Sequence, residues 1–464
     1  MTHRKPTPFT GWEDVTIENE LSKMPADMQL RVKNRLGIYA LRKRKGLIAR
    51  LLLFFAILGP GILVMIADND AGGVITYSQT GSIFGIGFFI PFMILMIPVA
   101  FLVQEMTVRL AAVTGRGHAE LIWRRYGKWW GSFSLIDLLA ANVLTLITEF
   151  IGIIFGMALL GISTIYAVGM GLAIILSITL LLRYHTWERI SIIIAGLNII
   201  FIPIMFFAHP NFGAVAASFF SWNIPGGISS FFIYLLLANI GTTIAPWMLF
   251  FQQSSEVDKG TTLHDMKDAK RDTILGAIIM AAVAISIIIF TASLVYNSAI
   301  PIAKSSSAYT IQYIINSISS KVGSLPIDLF ALGIIDAGLI TSIVLVASTS
   351  WAVSEAFKIP KSINLPFMKA KKFYLPGVFA LILAAFIVLI PNIPLGFVNI
   401  TVQVIASIMM PSALVFLLFL VNDKHIIGKY ANSKKRNLLV GALISFLILM
   451  SLIYTISLIF PGFI

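Results

Sequence analysis

Two carboxylates, Asp68 and Asp70, lie two residues apart in the apolar stretch GILVMIADNDAGGVITYSQTG, residues 61–81, and Gly72 and Gly73 follow them. Adjacent glycines favour an interrupted helix, and an interruption frees backbone carbonyls that protein, water or a ligand must satisfy. Carbonyl oxygens beside a carboxylate suit a cation, because they replace part of its water shell while the charge offsets desolvation. The stretch therefore predicts a cation site centred on Asp70.

A second interruption is predicted in ANIGTTIAPWMLFFQQ, residues 238–253. Pro246 cannot donate a backbone hydrogen bond, and its ring clashes with the preceding turn of a helix. A proline kink in a membrane helix often affects packing alone, so Pro246 by itself does not predict a site. Together with the break near Asp70, it predicts two discontinuous helices that meet near the middle of a membrane and form a binding site.

The elements that position these residues are predicted to be membrane helices. Of the 464 residues, 58% are hydrophobic and 12% are charged, and the mean hydropathy is +0.91. These values lie far from those of soluble globular proteins. The absence of cysteine excludes disulfides, thiolate metal sites and cysteine nucleophiles. The polar residues 1–48 are expected to form a cytoplasmic tail, with no cleaved signal peptide near Met1.

Apolar windows of about 20 residues, the length that crosses a bilayer, predict an all-α integral membrane protein with eleven transmembrane helices. The two breaks fall five helices apart, in the first and the sixth. This pattern predicts two inverted five-helix repeats over residues 49–208 and 229–421, followed by helix 11 over 437–461. The predicted helices cover residues 49–79, 83–106, 131–158, 161–182, 188–208, 229–254, 273–296, 327–356, 373–391, 395–421 and 437–461.

The formal net charge of +13 is distributed unevenly over the predicted loops. If the N-terminus is cytoplasmic, all but two of the 34 Lys and Arg residues fall inside, the exceptions being Lys304 and Lys321. Cytoplasmic loops of membrane proteins collect basic residues in this way. We therefore expect a multi-pass plasma-membrane protein with the C-terminus outside. The bilayer explains the charge, so a nucleic-acid partner is not expected.

Few charged residues fall inside the predicted helices: Asp68 and Asp70 in the first, Asp137 and Glu149 in the third, and Asp336 in the eighth. Charges at this depth are costly and usually face a partner, a cavity or a pathway. No Lys or Arg lies in the core of the helices. An uncompensated Asp70 is therefore expected to bind either a cation or a proton. Asp137 and Asp336 receive no assigned role.

Residues 59–76, GPGILVMIADNDAGGVIT, resemble the first-span motif of the NRAMP family of divalent metal transporters. Asp70 falls on the family's metal-binding aspartate and Gly72 on its glycine. Ala71 replaces the family's proline, and Gly73 replaces an asparagine whose amide oxygen binds the metal.

The resemblance extends to the sixth and tenth predicted helices. In GTTIAPWMLFFQQ, Thr242 lies where the family contributes a backbone carbonyl, Ala245 replaces a metal-binding methionine, and Trp247 replaces a histidine. In VQVIASIMMPSALVFLLFLVNDKHIIGKYANSKKRN, Gln403 falls on the polar residue that faces the site. The resemblance implies a LeuT-type fold, a divalent metal as substrate, no cofactor, and a monomer sufficient for transport. The oligomeric state stays open.

The replaced ligands predict the cargo. A methionine thioether favours borderline ions such as Mn²⁺ and Fe²⁺ over Mg²⁺. With Gly73 and Ala245 the predicted site has oxygen ligands only and more room, which suits a partly hydrated Mg²⁺. The sequence is thus similar to the NRAMP-related magnesium transporter branch. Asp68 has no counterpart in the family pattern. We expect it to bind waters of the ion or attract ions at the entrance, unless it is a solvated or helix-capping aspartate.

Proton coupling is predicted to be absent. In proton-coupled relatives three acids line the third helix, and the matching positions here are Asn142, Glu149 and Gly152. Only Glu149 is acidic, and Trp247 cannot exchange protons as the family's histidine can. The resemblance therefore implies uncoupled uptake of Mg²⁺, with Mn²⁺ also accepted, driven by the concentration gradient and the membrane potential.

Other functions were weighed on the same residues. A proton-coupled Mn²⁺ or Fe²⁺ importer is the first alternative, but it requires the missing thioether and relay. A channel-like cation pathway would use the same ligands and differ only in gating, so the sequence does not decide against this alternative. A sodium-coupled amino acid carrier is disfavoured because Asp70 would repel a substrate carboxylate. A membrane-embedded enzyme is not expected, since all six histidines lie in loops, tails or helix ends.

Overall fold

A computed structural model describes residues 59–182, 184–296, 311–363 and 365–460. The predicted tail over residues 1–48 lies outside these ranges, as do residues 49–58 of the first predicted helix. Helices and the turns between them make up the described chain, with no strand. In chain order the α-helices are α1 (Pro60–Ala67), α2 (Ala71–Phe84), α3 (Phe89–Thr114), α4 (His118–Leu159), α5 (Thr164–Leu181), α6 (Tyr184–Leu197), α7 (Phe201–Phe206), α8 (Phe212–Ser218), α9 (Ser230–Thr243), α10 (Pro246–Lys259), α11 (Met266–Val295), α12 (Ile311–Val322), α13 (Ser324–Phe357), α14 (Lys371–Val388), α15 (Leu395–Asn422), α16 (Lys424–Ile427) and α17 (Lys434–Ile459).

The first break separates α1 from α2. Asp70 has an extended backbone (φ −64°, ψ 167°) and caps α2, because its side chain accepts a hydrogen bond from the Gly73 backbone N–H. The expectation that Gly72 and Gly73 themselves unwind the chain is wrong, since both lie in the first turn of α2. A residue whose side chain caps a helix takes a non-helical conformation itself, so the break falls at Asp70.

The second break separates α9 from α10 at Ile244 and Ala245, both of which have extended backbones. Pro246 is the first residue of α10. A backbone N–H at the first position of a helix has no partner within the helix, so proline loses no hydrogen bond there. The fixed φ of proline also suits the first turn. Pro246 therefore starts the second half-helix as well as ending the first, which confirms the predicted break.

Ten helical segments of the described residues are long and apolar enough to cross a membrane. Thr186–Phe206 counts as one of them, and so does Ser230–Lys259, which contains the second break. α1 and α2 are each too short to be counted. The chain is a multi-pass membrane protein of all-α architecture. The number eleven and the division into two repeats stay predictions.

α4 is much longer than the predicted span over residues 131–158, because it begins at His118. Gly127 kinks it, with φ 82° and ψ −177°. This backbone conformation carries no steric penalty for glycine. Residues 118–130, which were expected to form a loop, are therefore helical on both sides of Gly127.

The broken helices occupy the centre of the molecule. Every residue in the most apolar window of Ser230–Lys259 is buried, against 22% of the residues in the window of α17. α13 is also mostly buried, and it packs extensively against α4. The two breaks are thus enclosed by other helices, while α5 and α17 lie at the periphery.

Candidate metal-binding site

The carboxylate of Asp70 is the point at which three helices meet. Its Oδ1 accepts hydrogen bonds from the Gly73 N–H of α2 and from the Thr242 hydroxyl of α9, at 3.2 Å. The Gln403 amide of α15 lies 3.4 Å from Oδ1 and 3.5 Å from Oδ2. All three side chains are at most 2% exposed. The structure thus brings together Asp70, Thr242 and Gln403, which were predicted from segments far apart in the sequence.

Neighbouring side chains crowd the positions that a Cβ would take at Gly72 and Gly73. A Cβ added to Gly72 would overlap the Gln403 amide and lie 3.0 Å from the Thr148 hydroxyl. A Cβ added to Gly73 would overlap the Thr242 hydroxyl and lie 2.9 Å from Asp70 Oδ1. The two glycines therefore let α9 and α15 approach the start of α2 closely.

Glu149 of α4 caps the same helix end as Asp70. Its Oε2 accepts a hydrogen bond from the Ala71 backbone N–H at 3.0 Å, and the Thr148 hydroxyl lies 3.3 Å from its Oε1. Carboxylates are favoured at a helix N-terminus, where unpaired N–H groups carry partial positive charge. Glu149, the one acid that the sequence retains from the proton relay, thus stabilises the start of α2.

Asp68 lies inside the break, at the end of α1, and is 1% exposed. Its Oδ2 has no hydrogen-bond partner, and its charge and that of Asp70 repel each other. Asp70 and Glu149 repel each other as well. The described part of the chain offers no basic partner to Asp68, Asp70 or Glu149. Three buried acidic side chains therefore surround one break without a basic partner among the described residues.

The second break lacks a side-chain ligand at Ala245, which is buried. The sulfur of Met248, one turn along α10, accepts the Ala245 backbone N–H at 3.4 Å. Trp247 is fully buried; its carbonyl accepts the Ser348 hydroxyl at 3.3 Å, and its indole N–H has no partner.

The other predicted relay positions have contacts of their own. Asn142 donates its amide to the Thr349 hydroxyl at 2.9 Å, which joins α4 to α13. A Cβ added to Gly152 would overlap the side chain of Ala71. Gly152 therefore allows α4 to pack directly against the first residue of α2, and the structure has no room for an acid there.

The remaining membrane acids bind partners outside the break. Asp336 accepts a hydrogen bond from the Asn198 amide at 3.1 Å, and Asp137 accepts one from the Ser412 hydroxyl. Neither contacts Asp70. Among the described residues, no three His, Cys, Asp or Glu side chains are grouped closely enough to hold a metal ion. A cation at Asp70 would therefore need neutral oxygens or water in addition to carboxylates.

Sequence reasoning missed Asn399. This residue lies on α15 four residues before Gln403, and its amide Nδ2 donates to the Gly72 carbonyl at 3.0 Å. Residues four apart share one face of a helix. Two amide side chains at this spacing in a mostly apolar helix were the available signal.

Comparisons with known proteins agree with this architecture. A family described as "Natural resistance-associated macrophage protein-like" (Nramp) matches residues 61–457. The "Divalent metal cation transporter MntH" of Yersinia pestis (strain Pestoides F) is 26% identical over 410 residues, which cover 83% of this chain and 90% of the relative. The protein of the same name from Aeromonas hydrophila is 23% identical over 394 residues, covering 81% and 89%.

Solved structures share the fold. A manganese transporter of Eremococcus coleocola, crystallised with an aromatic bis-isothiourea compound, superposes with a TM-score of 0.72 at 18% identity, covering 89% of this chain and 88% of that one. The transporter MhsT in complex with L-phenylalanine superposes with a TM-score of 0.55 at 16% identity, covering 86% and 98%. These likenesses confirm the predicted LeuT-type fold.

Proposed function

Because the chain belongs to the Nramp family, we propose that it carries a divalent metal cation across the membrane through a site centred on Asp70. Mg²⁺ is the main cargo, Mn²⁺ is also accepted, and no proton moves with either. The metal is the substrate, and the relatives are named as transporters rather than as enzymes. We place the protein in the plasma membrane with the N-terminus in the cytoplasm and the C-terminus outside.

One observation carries this proposal: Asp68, Asp70 and Glu149 are buried around the break without a basic partner among the described residues. Buried charges are costly unless they are paired or bind a metal. A divalent cation supplies the missing positive charge. An arginine or lysine in the same place would have indicated a structural ion pair instead.

The ligands support a hard, hydrated cation. The side chains that touch Asp70 are those of Thr242 and Gln403, and both carry oxygen and no sulfur. Ala245 offers no sulfur, and the Met248 sulfur is engaged by the Ala245 N–H. Oxygen ligands suit Mg²⁺, which keeps several waters and is usually held through one or two carboxylates. The protein of Eremococcus coleocola is named a manganese transporter, so Mn²⁺ is the competing main cargo.

The absence of proton coupling is supported by the groups around Glu149. This acid caps α2, while Asn142, Gly152 and Trp247 carry no group that exchanges protons near neutral pH. Uptake does not need a proton gradient, because inward movement of a cation gains about 2.3 kcal/mol per charge per 100 mV of membrane potential. Helix pairs that meet end to end at one site suit alternating access around Asp70.

The direct test is Mg²⁺ uptake into proteoliposomes by the wild-type protein, Asp70→Asn and Asp336→Asn. Asp336 is the matched control, because it is a buried membrane acid that binds Asn198 rather than the break. We expect Asp70→Asn to lose uptake and Asp336→Asn to retain it. Wild-type uptake rates in Asp70→Asn, or transport of Mn²⁺ with exclusion of Mg²⁺ by the wild-type protein, would contradict the proposal.

A further inference from the structure

Asn399 faces the start of α2 from the same side of α15 as Gln403. Both side chains are buried, with Asn399 fully so. Its Nδ2 lies 3.0 Å from the carbonyl oxygen of Gly72, the residue next to Gly73. The side chain is therefore held against the first turn of α2, the helix that Asp70 caps.

The hydrogen bond fixes which way the amide of Asn399 points. A carbonyl only accepts, so the NH₂ group must face Gly72. Oδ1 is bonded to the same amide carbon as Nδ2, and its distance from the Gly72 carbonyl oxygen cannot exceed about 5.6 Å. Oδ1 is buried and has no hydrogen-bond partner in the described part of the chain. An acceptor in that condition destabilises a protein unless water or a ligand satisfies it.

The contact with Gly72 does not explain why an asparagine is present. The Gly72 carbonyl already accepts the Thr76 hydroxyl at 2.8 Å, so it would keep a partner without Asn399. An apolar side chain would fill the same space with no unsatisfied oxygen. The feature that asparagine adds is the free Oδ1.

We propose that Asn399 Oδ1 accepts a hydrogen bond from a water molecule of the bound cation and so determines the preference for a hydrated ion. The proposal rests on the proposed function of the Asp70 site. It assigns to α15 the amide oxygen that position 73 lacks. Gln403, one turn further along α15, lies at the carboxylate itself. The two amides then contact the hydrated ion from one helix face.

Metal binding to the purified protein tests this role, with dissociation constants for Mg²⁺ and Mn²⁺ measured calorimetrically. We expect Asn399→Ala to raise the Kd for Mg²⁺ roughly tenfold, the lower end of what loss of an outer-sphere partner costs. The Kd for Mn²⁺ should rise less, because Mg²⁺ gives up its waters more reluctantly. The matched control is Asn239→Ala. Asn239 is also fully buried, and its Oδ1 has no partner among the described residues, but its amide binds Thr80 and Leu235, ten residues after Asp70 and seven before Thr242.

A second variant distinguishes the role of the Asn399 side-chain oxygen from that of the N–H group that binds Gly72. Asn399→Asp keeps an oxygen acceptor and loses the donor to Gly72, so its Kd for Mg²⁺ should equal that of the wild type or fall below it. The proposal is overturned if Asn399→Asp weakens Mg²⁺ binding as much as Asn399→Ala, or if Asn399→Ala changes both metals equally. An unchanged Kd in Asn399→Ala would overturn it as well.

Asp70→Ala in the same assay distinguishes this inference from the proposed function. If Asp70→Ala abolishes binding while Asn399→Ala leaves the Kd for Mg²⁺ unchanged, the site stands and only the role of Asn399 fails. If Asp70→Ala binds Mg²⁺ like the wild type, the site itself is misplaced and both proposals fail.

Discussion

Thr242 donates its hydroxyl to Asp70 Oδ1 over 3.2 Å, so the two broken helices meet at a single carboxylate oxygen. The Gly73 N–H binds the same oxygen from α2. The Asp70 carboxylate is thus held in place by donors from both broken helices. Removal of the Thr242 hydroxyl alone therefore tests the contact between the two broken helices.

Thr242→Val removes that hydroxyl with little change in volume, whereas Thr242→Ser retains it. A hydrogen bond to a charged group contributes about 1.5–3 kcal/mol. We therefore expect Thr242→Val to reduce Mg²⁺ uptake at low concentration roughly tenfold or more, and Thr242→Ser to transport at nearly the wild-type rate. Equal rates for the two variants in a proteoliposome assay would show that the hydroxyl does not act on Asp70.

Gly73→Ala tests whether the glycine makes room at the site. The added Cβ would overlap the Thr242 hydroxyl and crowd Asp70. Crowding in a packed interior typically costs about 1–3 kcal/mol, so we expect lower thermal stability and weakened Mg²⁺ binding. Gly169→Ala is the control, because a Cβ there meets nothing within 4 Å. A Gly73→Ala protein that is as stable as Gly169→Ala and binds Mg²⁺ normally would refute the steric argument.

Ala245→Met returns a thioether to the second break, and Ala245→Leu adds similar volume without sulfur. Since a thioether favours borderline ions, we expect only the methionine variant to shift the preference from Mg²⁺ towards Mn²⁺. Competition between the two metals for uptake measures this shift. If the leucine variant shifts the preference as far, cavity size rather than sulfur sets the selectivity.

Glu149→Gln addresses the role of the surviving acid. A glutamine oxygen can still accept the Ala71 N–H, so we expect this variant to fold and to transport Mg²⁺ with the same dependence on external pH as the wild type. Glu149→Ala leaves that N–H without its partner, which should cost about 1–3 kcal/mol in the free energy of unfolding. Loss of a pH dependence in Glu149→Gln would instead identify Glu149 as a proton carrier.

Sequence patterns were sufficient to locate both breaks and the acid at the first of them. A carboxylate in an apolar stretch and a proline in another are local signals, and Asp70 and Pro246 both lie at the ends of half-helices. The function of the glycines was harder to predict from the sequence. Thr242 and Gln403, which leave no room for a side chain at these positions, are distant in the sequence. The local sequence indicates that Gly72 and Gly73 are flexible, but it does not indicate which side chains of other helices approach them.

Two further features depend on tertiary contacts that no local pattern encodes. Asn399 reaches Gly72 across 327 positions of the chain, and Glu149 caps the N–H of Ala71 across 78. The family pattern drew attention to what positions 73 and 245 lack. The structure shows that Asn399 of α15 contacts the first turn of α2, at a position that the motif comparison did not single out.

The most direct test of the account records metal entry and internal pH together, in proteoliposomes that contain a Mg²⁺ indicator and a pH-sensitive dye. With an inwardly directed Mg²⁺ gradient and a negative internal potential, the account predicts Mg²⁺ entry without acidification of the lumen, and no entry in Asp70→Asn vesicles. Acidification that follows Mg²⁺ entry in the wild type and disappears in Asp70→Asn would contradict uncoupled transport.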